Sequence, residues 1–376
     1  MRERPFERII LHIGWPKTGT TSVQAALVDS QAMLVSQGIC CPVLLENGKT
    51  PTCNHSQHLK FQLGLLGKGE RERFAEENCA SFALAVQDMQ CGVLLLSGEG
   101  MTFWTRDDWE AFLGWLKRHN LSAEATRFEV VVVTRDLVTW YRRLLDQRLI
   151  AAIQGQDEAL SWAPELASFL IRCTESRLAA FGREACFALR FEDLVQTEDG
   201  PLSVLSQHLG VRLASSGHHE NPSRSFETSR LLRALGPDWK NRQIFSELYS
   251  DLPGTRSDWT VAEAMTMADL WSKPAARLSE LLGVEVTALA KGHFLLDHPA
   301  LYPQEWLDAI FVRSQTSRHN CKRWPAQAIL TAFNKILIED GAEMTHAVNN
   351  RLMDFIQQHE SLLRAEDQVW GGKAKS

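Results

Sequence analysis

Nothing in this sequence approaches the roughly 18 consecutive apolar residues that a membrane-spanning helix requires. The first apolar stretch, Ile9-Ile10-Leu11-His12-Ile13, is too short for the core of a secretory signal, and Pro16-Lys17 follow at once. A positive charge excess is missing too. The formal net charge is −6 over 376 residues, which argues against a general nucleic-acid binder and makes any anion site a local feature. The eight cysteines, at 40, 41, 53, 79, 91, 173, 186 and 321, include no C-x-x-C pair. A chain of this size needs no disulfide staples, so reduced thiols in a cytoplasmic protein are expected. Internal repeats and low-complexity tracts are absent as well. What remains is a soluble globular chain with 44% hydrophobic residues, long enough to bury a sizeable core.

Four short apolar runs read as strands: Arg8 to Ile13, Gly92 to Leu96, Phe128 to Thr134 and Cys186 to Phe191. The third carries Val130-Val131-Val132-Val133, a continuous β-branched stretch suited to a strand covered on both faces. Helical spacing fills the intervals, over Ser22 to Gln37, Arg71 to Gln90 and Asp107 to His119. Strands alternating with long helices predict an α/β, doubly wound, mainly parallel sheet flanked by helices. Beyond Gly210 no comparable strand recurs. Helical segments at Ser225 to Leu235, Val261 to Leu282 and Ala326 to Ile338 predict a helical extension, so residues 1–250 are read as one domain and 251–376 as the extension.

The first strand leads directly into Gly14-Trp15-Pro16-Lys17-Thr18-Gly19-Thr20-Thr21-Ser22 and then a helix. A strand, a tight loop and a helix start aim backbone N–H groups and a helix dipole at an anion. Gly14 and Gly19 have the G-x-x-x-x-G spacing of the ATP-type phosphate loop. That motif, however, places lysine directly after the second glycine and a magnesium-holding hydroxyl after that. Here Thr20 stands at the lysine position, and Lys17 precedes Gly19 by two residues. A magnesium-binding aspartate after a strand is also not found, and no metal is expected.

The variant Pro16-Lys17-Thr18-Gly19-Thr20-Thr21 resembles the donor-binding loop of the sulfotransferase family. The resemblance extends in order from about Arg8 to Gly210 and implies a phosphate-loop-like fold with 3′-phosphoadenosine-5′-phosphosulfate as sulfuryl donor. By position, Lys17 would contact the 5′-phosphate and the bridging oxygen of the leaving group. Thr18, Gly19, Thr20 and Thr21 would supply N–H groups and hydroxyls, with Gly14, Pro16 and Ser22 completing the loop. The third strand ends in Thr134-Arg135-Asp136-Leu137, which resembles the family's 3′-phosphate motif with Arg135 at the arginine position. The usual proline is Leu137 and the usual serine is Arg143, which could itself reach the 3′-phosphate. Arg143 could equally belong to a solvated face with Arg142 and Arg148. Phe191-Glu192-Asp193-Leu194 resembles a further, mainly structural, family element.

For the acceptor, the second strand delivers Ser97-Gly98-Glu99-Gly100, a carboxylate at a strand's carboxyl end where ligands bind in open α/β sheets. In bacterial and carbohydrate-modifying sulfotransferases an acidic residue in this region is the base, so Glu99 is the first candidate. Capping of the next segment, or pairing with Arg106, is the alternative. His55 and His58 form a second candidate pair of acceptor contacts or bases, and their spacing next to Cys53 could also be half a metal site. Trp104, Trp109 and Trp115 suit either a sugar cleft or a core. The expected activity is sulfuryl transfer to a hydroxyl, with carbohydrate or glycolipid favoured. A phosphate-loop kinase or a non-catalytic nucleotide-binding protein are the alternatives.

Overall fold

A computed structural model describes residues 4–46, 50–65, 86, 91–141, 144, 165–197, 200–213, 259–289, 295–296, 307–309, 350, 353–354 and 356–357. The chain divides into two compact units. One comprises residues 1–140, 162–220 and 268–289, and the other comprises 141–161, 221–267 and 290–376.

The first unit is built on a sheet whose strands are β1 (Arg8–Gly14), β2 (Ile39–Cys40), β5 (Val93–Ser97), β6 (Arg127–Thr134) and β7 (Cys186–Arg190). All its pairings are parallel, in the order β2-β5-β1-β6-β7. The four apolar runs are therefore strands. β2 contributes only Ile39 and Cys40, too short to leave a pattern. From Ile9 to Gly14, β1 is wholly buried, as is β6 from Glu129 to Thr134, which suits strands covered on both faces. The one charge in this buried part of β6, Glu129, is matched by Arg8 and Arg127. A hairpin of β3 (Leu44–Glu46) and β4 (Thr50–Thr52) stands apart from the sheet.

Helices α1 (Thr20–Asp29) and α2 (Gln31–Ser36) replace the single helix expected over Ser22 to Gln37, with Ser30 as the joint. Helix α3 (Ser56–Gln62) precedes β5. Helix α4 (Arg106–Arg118) matches its periodicity and opens with a capping box between Thr105 and Asp108. Acids occupy its first turn and bases its last, both favourable to the helix dipole. Its inner face sets Trp109, Phe112 and Trp115 against Trp104, and Trp104 and Trp109 lie 4.7 Å apart. All three candidate tryptophans are thus core residues rather than the lining of a sugar cleft. Helices α5 (Glu165–Phe181), α6 (Phe191–Gln196) and α7 (Gly200–Leu209) follow, so Phe191 begins a helix rather than ending β7. The expected helices at Arg71 to Gln90, Ser225 to Leu235 and Ala326 to Ile338 lie outside the described residues, apart from Val86. Helix α8 (Val261–Leu282) has the bounds its periodicity predicts. In the second unit, β8 (Trp259–Thr260) and β9 (Leu295–Leu296) pair in parallel. Among the described residues no helix is long and apolar enough to cross a membrane.

Candidate functional site

Because β1 lies between β5 and β6, three strand ends meet at one edge of the sheet. From β1 comes the loop Gly14 to Gly19, from β5 comes Glu99, and from β6 comes Arg135. Carboxyl ends of neighbouring parallel strands are where open α/β sheets bind ligands.

The loop is built by its own residue types. Trp15 N–H donates to Val133 O at 2.9 Å, prolonging the β1–β6 ladder, and its indole packs 5.3 Å from that of Trp140. Thr18 folds the chain back by donating both N–H and Oγ1 to Trp15 O, at 3.2 and 2.6 Å. Lys17 and Gly19 both take the left-handed conformation, with φ of 65° and 77°. Glycine adopts it freely, whereas at Lys17 it costs about 1–2 kcal/mol. At Gly14 a Cβ would collide with the Thr20 hydroxyl and lie 2.8 Å from that of Thr18, so the loop closes only around glycine. Gly19 is also the N-cap of α1 and lacks a side chain to occupy the first-turn amides. Thr20 Oγ1 is buried with no hydrogen-bond partner among the described residues. An unsatisfied hydroxyl and an uncapped helix start fit a loop shaped for an anionic ligand.

Glu99 opens a short 3₁₀ turn, Glu99–Phe103. Gly98 N–H donates to His12 O at 3.0 Å, and Thr102 Oγ1 donates to Gly14 O at 2.9 Å, fastening this turn to the loop. The flanking glycines serve packing: a Cβ on Gly98 would strike Ser56, and Gly100 N–H donates to Ser56 Oγ at 3.1 Å. Burial raises the Glu99 carboxyl above the ordinary 4.5, and the charge of Lys17 opposes that rise. Lysine and carboxylate therefore share one electrostatic environment. The alternative partner, Arg106, instead forms an exposed pair with Glu110 at 2.8 Å.

Arg135 donates from Nη1 to Lys17 O at 2.7 Å, joining the β6 end to the loop. Asp136 caps the following helical turn by accepting from Thr139 N–H at 2.9 Å. Leu137, where the resembled family has proline, donates its N–H to Thr287 O at 3.1 Å. A proline there could not make that bond, which accounts for the departure. Arg143 lies outside the described residues.

No protein-family model matches the chain, and no curated protein matches it. Among solved structures, a sulfotransferase from Alicyclobacillus acidocaldarius is similar at 13% identity and a TM-score of 0.41, over 75% of this chain and 97% of that one. A sulfotransferase domain from the curacin biosynthetic pathway is similar at 14% identity and a TM-score of 0.33, over 59% and 82%. Shikimate kinase from Bacteroides thetaiotaomicron is similar at 18% identity and a TM-score of 0.24, over 54% and 98%.

Of the histidine pair, His55 is tied to the end of β5. His55 is fully buried, accepts at Nδ1 from Ser97 N–H at 2.9 Å and donates from Nε2 to Pro42 O at 2.7 Å. Both ring nitrogens are thereby engaged, and burial lowers its pKa to about 4. His55 is thus a neutral brace on Ser97, two residues before Glu99. His58 is buried in α3, close enough for its charge to bear on His55. Among the described residues, Cys41, Cys53 and His55 are the group that could hold a metal, with ligand atoms within 4.8 Å of one another. The His55 Nδ1 lone pair is already used by Ser97, and the thiols of Cys41 and Cys53 meet at 3.6 Å as a buried pair.

Several site residues left no readable mark in the sequence. His12 and Gln24 converge on Ser97. Gln24 Nε2 donates to Ser97 Oγ at 3.3 Å, and His12 Nδ1 hydrogen-bonds the same hydroxyl at 2.9 Å. Burial lowers the His12 pKa to about 4, which agrees with a neutral ring. Thr102 and Ser56 are isolated polar residues in sequence, and only the glycines on either side of Glu99 hinted at close packing there.

Proposed function

We propose that this chain transfers a sulfuryl group from 3′-phosphoadenosine-5′-phosphosulfate to an acceptor hydroxyl, with carbohydrate or glycolipid as the acceptor class. The observation that carries this reading is that Lys17, on the loop after β1, lies near enough to Glu99, on the turn after β5, for its charge to bear on the carboxyl. It sets a cation on the phosphate-type loop beside a half-buried carboxylate of raised pKa. The closed cradle at Gly14 and the orphaned Thr20 hydroxyl support a phosphate-bearing donor. The position of Lys17 before the second glycine, together with the resemblance of the loop and the strand-end arginine, favours the sulfuryl donor over ATP.

The donor supplies the activated sulfuryl group. Glu99 accepts the acceptor's hydroxyl proton as the new oxygen–sulfur bond forms on the face opposite the leaving group. Lys17 and the loop amides take up the negative charge that gathers on the departing 5′-phosphate as the old sulfur–oxygen bond breaks. Arg135 holds the 3′-phosphate and so fixes the donor's position along the loop. The products are a sulfated acceptor, 3′-phosphoadenosine 5′-phosphate and a proton on Glu99 that solvent removes.

Isothermal calorimetry with 3′-phosphoadenosine 5′-phosphate, ATP and ADP, all without magnesium, tests the donor class. Tight binding of the first ligand, weakened at least ~10-fold in Arg135→Ala, is expected for loss of a charged hydrogen-bonding group. Equal or better binding of ATP would overturn the reading in favour of a kinase. In turnover, Lys17→Ala is expected to lose about 10²-fold or more, as for removal of a transition-state donor. Activity within a few-fold of wild type would remove Lys17 from that role.

A further inference from the structure

The segment Phe191-Glu192-Asp193-Leu194 opens α6 directly after β7. β7 pairs with β6 so that Arg190 lies opposite Thr134, and the next residues of each chain, Phe191 and Arg135, emerge side by side. The Arg135 guanidinium carbon stands 4.8 Å from the centre of the Phe191 ring, within the range of a cation–π contact. The same ring lies 3.5 Å from where a Cβ on Gly19 would sit, so it also backs the phosphate-type loop at its second glycine. Arg135 in turn donates to the carbonyl of Lys17, the loop residue held at φ 65°. Glu192 completes the arrangement by accepting from Asp136 N–H at 3.1 Å, which fastens the start of α6 to the residue after Arg135.

We infer that Phe191 is a positioning residue for the donor: its ring clamps Arg135 and Gly19 together, holding the loop in its left-handed geometry at Lys17 and aiming Arg135. Two physical effects follow. A guanidinium stacked on an aromatic face has fewer rotamers to lose when it binds phosphate, so the affinity gained from the 3′-phosphate depends on the ring. A loop whose strained residue is held by Arg135, and whose glycine is backed by the ring, opens less often to solvent. Phe191 itself touches no reacting atom in this scheme.

The nucleotide arm of the test rests on the donor reading above, and the exchange arm does not. Full-length wild type, Phe191→Ala, Phe191→Leu and Phe191→Tyr would be compared at matched thermal stability. The affinity ratio of 3′-phosphoadenosine 5′-phosphate to AMP, which lacks the 3′-phosphate, is expected to fall about 10-fold in Phe191→Ala and Phe191→Leu. Phe191→Tyr, which keeps the aromatic face, should preserve it. Amide hydrogen exchange in the loop segment around residues 15–22 should rise in the same two variants and not in Phe191→Tyr. Should Phe191→Ala fail to fold, Phe191→Leu keeps the bulk and still removes the ring face. An unchanged ratio and unchanged loop exchange in Phe191→Leu, with wild type preferring the bisphosphate, would overturn the clamp. A wild type indifferent to the 3′-phosphate, with loop exchange still raised in Phe191→Leu, would overturn the donor reading and leave the clamp standing. Indifference together with unchanged exchange would overturn both.

Discussion

Replacing Glu99 by glutamine is expected to lower turnover by about 10²–10⁴-fold, the usual contribution of a positioned general base, while making the folded protein more resistant to urea at neutral pH. The two effects share one cause. Burial raises the carboxyl pKa above 4.5 and Lys17 offsets only part of that rise. A carboxyl whose folded pKa exceeds its unfolded value favours the fold while protonated. That contribution is fully present below the unfolded pKa and is lost as pH rises through the folded one. At neutral pH the wild-type protein therefore holds a partly desolvated charge that glutamine, nearly isosteric and neutral, does not carry. In return, a raised pKa brings the proton affinity of the base closer to working pH. Turnover of the wild type should rise with pH through a midpoint above the ordinary glutamate value, and the rise should vanish in the variant. Sulfuryl transfer from labelled donor to a panel of hydroxyl acceptors reads the first effect, and urea denaturation at pH 7 reads the second. Turnover within a few-fold of wild type would exclude Glu99 as base. Unaltered stability would mean that Lys17 already compensates the charge fully.

Acidification from pH 7 to pH 5 is expected to remove about 4 kcal/mol of folding stability through His12 and His55 together. Both rings are fully buried, and burial lowers each pKa from 6.5 to about 4. Below 6.5 the unfolded chain takes up protons on these rings, while the folded protein resists until about 4. Stability is thus intact above 6.5 and falls progressively between 6.5 and 4. The loss is a large fraction of the 5–15 kcal/mol typical of a domain. Glu99 acts in the opposite direction over part of this range, so the comparison is best made in the Glu99→Gln background. Urea midpoints at pH 7 and pH 5 should lie markedly closer together for His12→Gln than for its parent. Equal pH dependence in the two proteins would show that the His12 ring does not stay neutral in the fold.

The buried rings also explain why the acid side of the site is placed so firmly. His12 and Gln24 meet at the Ser97 hydroxyl, and His55 reads the Ser97 N–H, so the last residue of β5 is held from β1, α1 and the start of α3. Glu99 follows two residues later, on a turn tied to Gly14 through Thr102. A carboxylate held by neutral hydrogen bonds on rigid elements keeps its geometry without added charge beside it.

Much of this was written locally in the chain. The continuous valines of β6, the apolar run of β1 and the periodicity of Val261–Leu282 declare their elements, because strand and helix periods depend on near neighbours. The loop from Gly14 to Ser22 was legible for the same reason: a strand, two glycines and a helix start lie within one short stretch. What the sequence could not state is who stands opposite whom. Lys17 and Arg135 are 118 residues apart, and His55 and Ser97 are 42 apart. Only the order β5-β1-β6 brings Glu99 and Arg135 to either side of the loop. The surroundings of His55, Phe191 and the three tryptophans were likewise open until packing decided them. A ring's burial and hydrogen-bond partners, unlike its helical or strand period, are properties of the assembled sheet and its covering helices rather than of neighbouring residues in the chain.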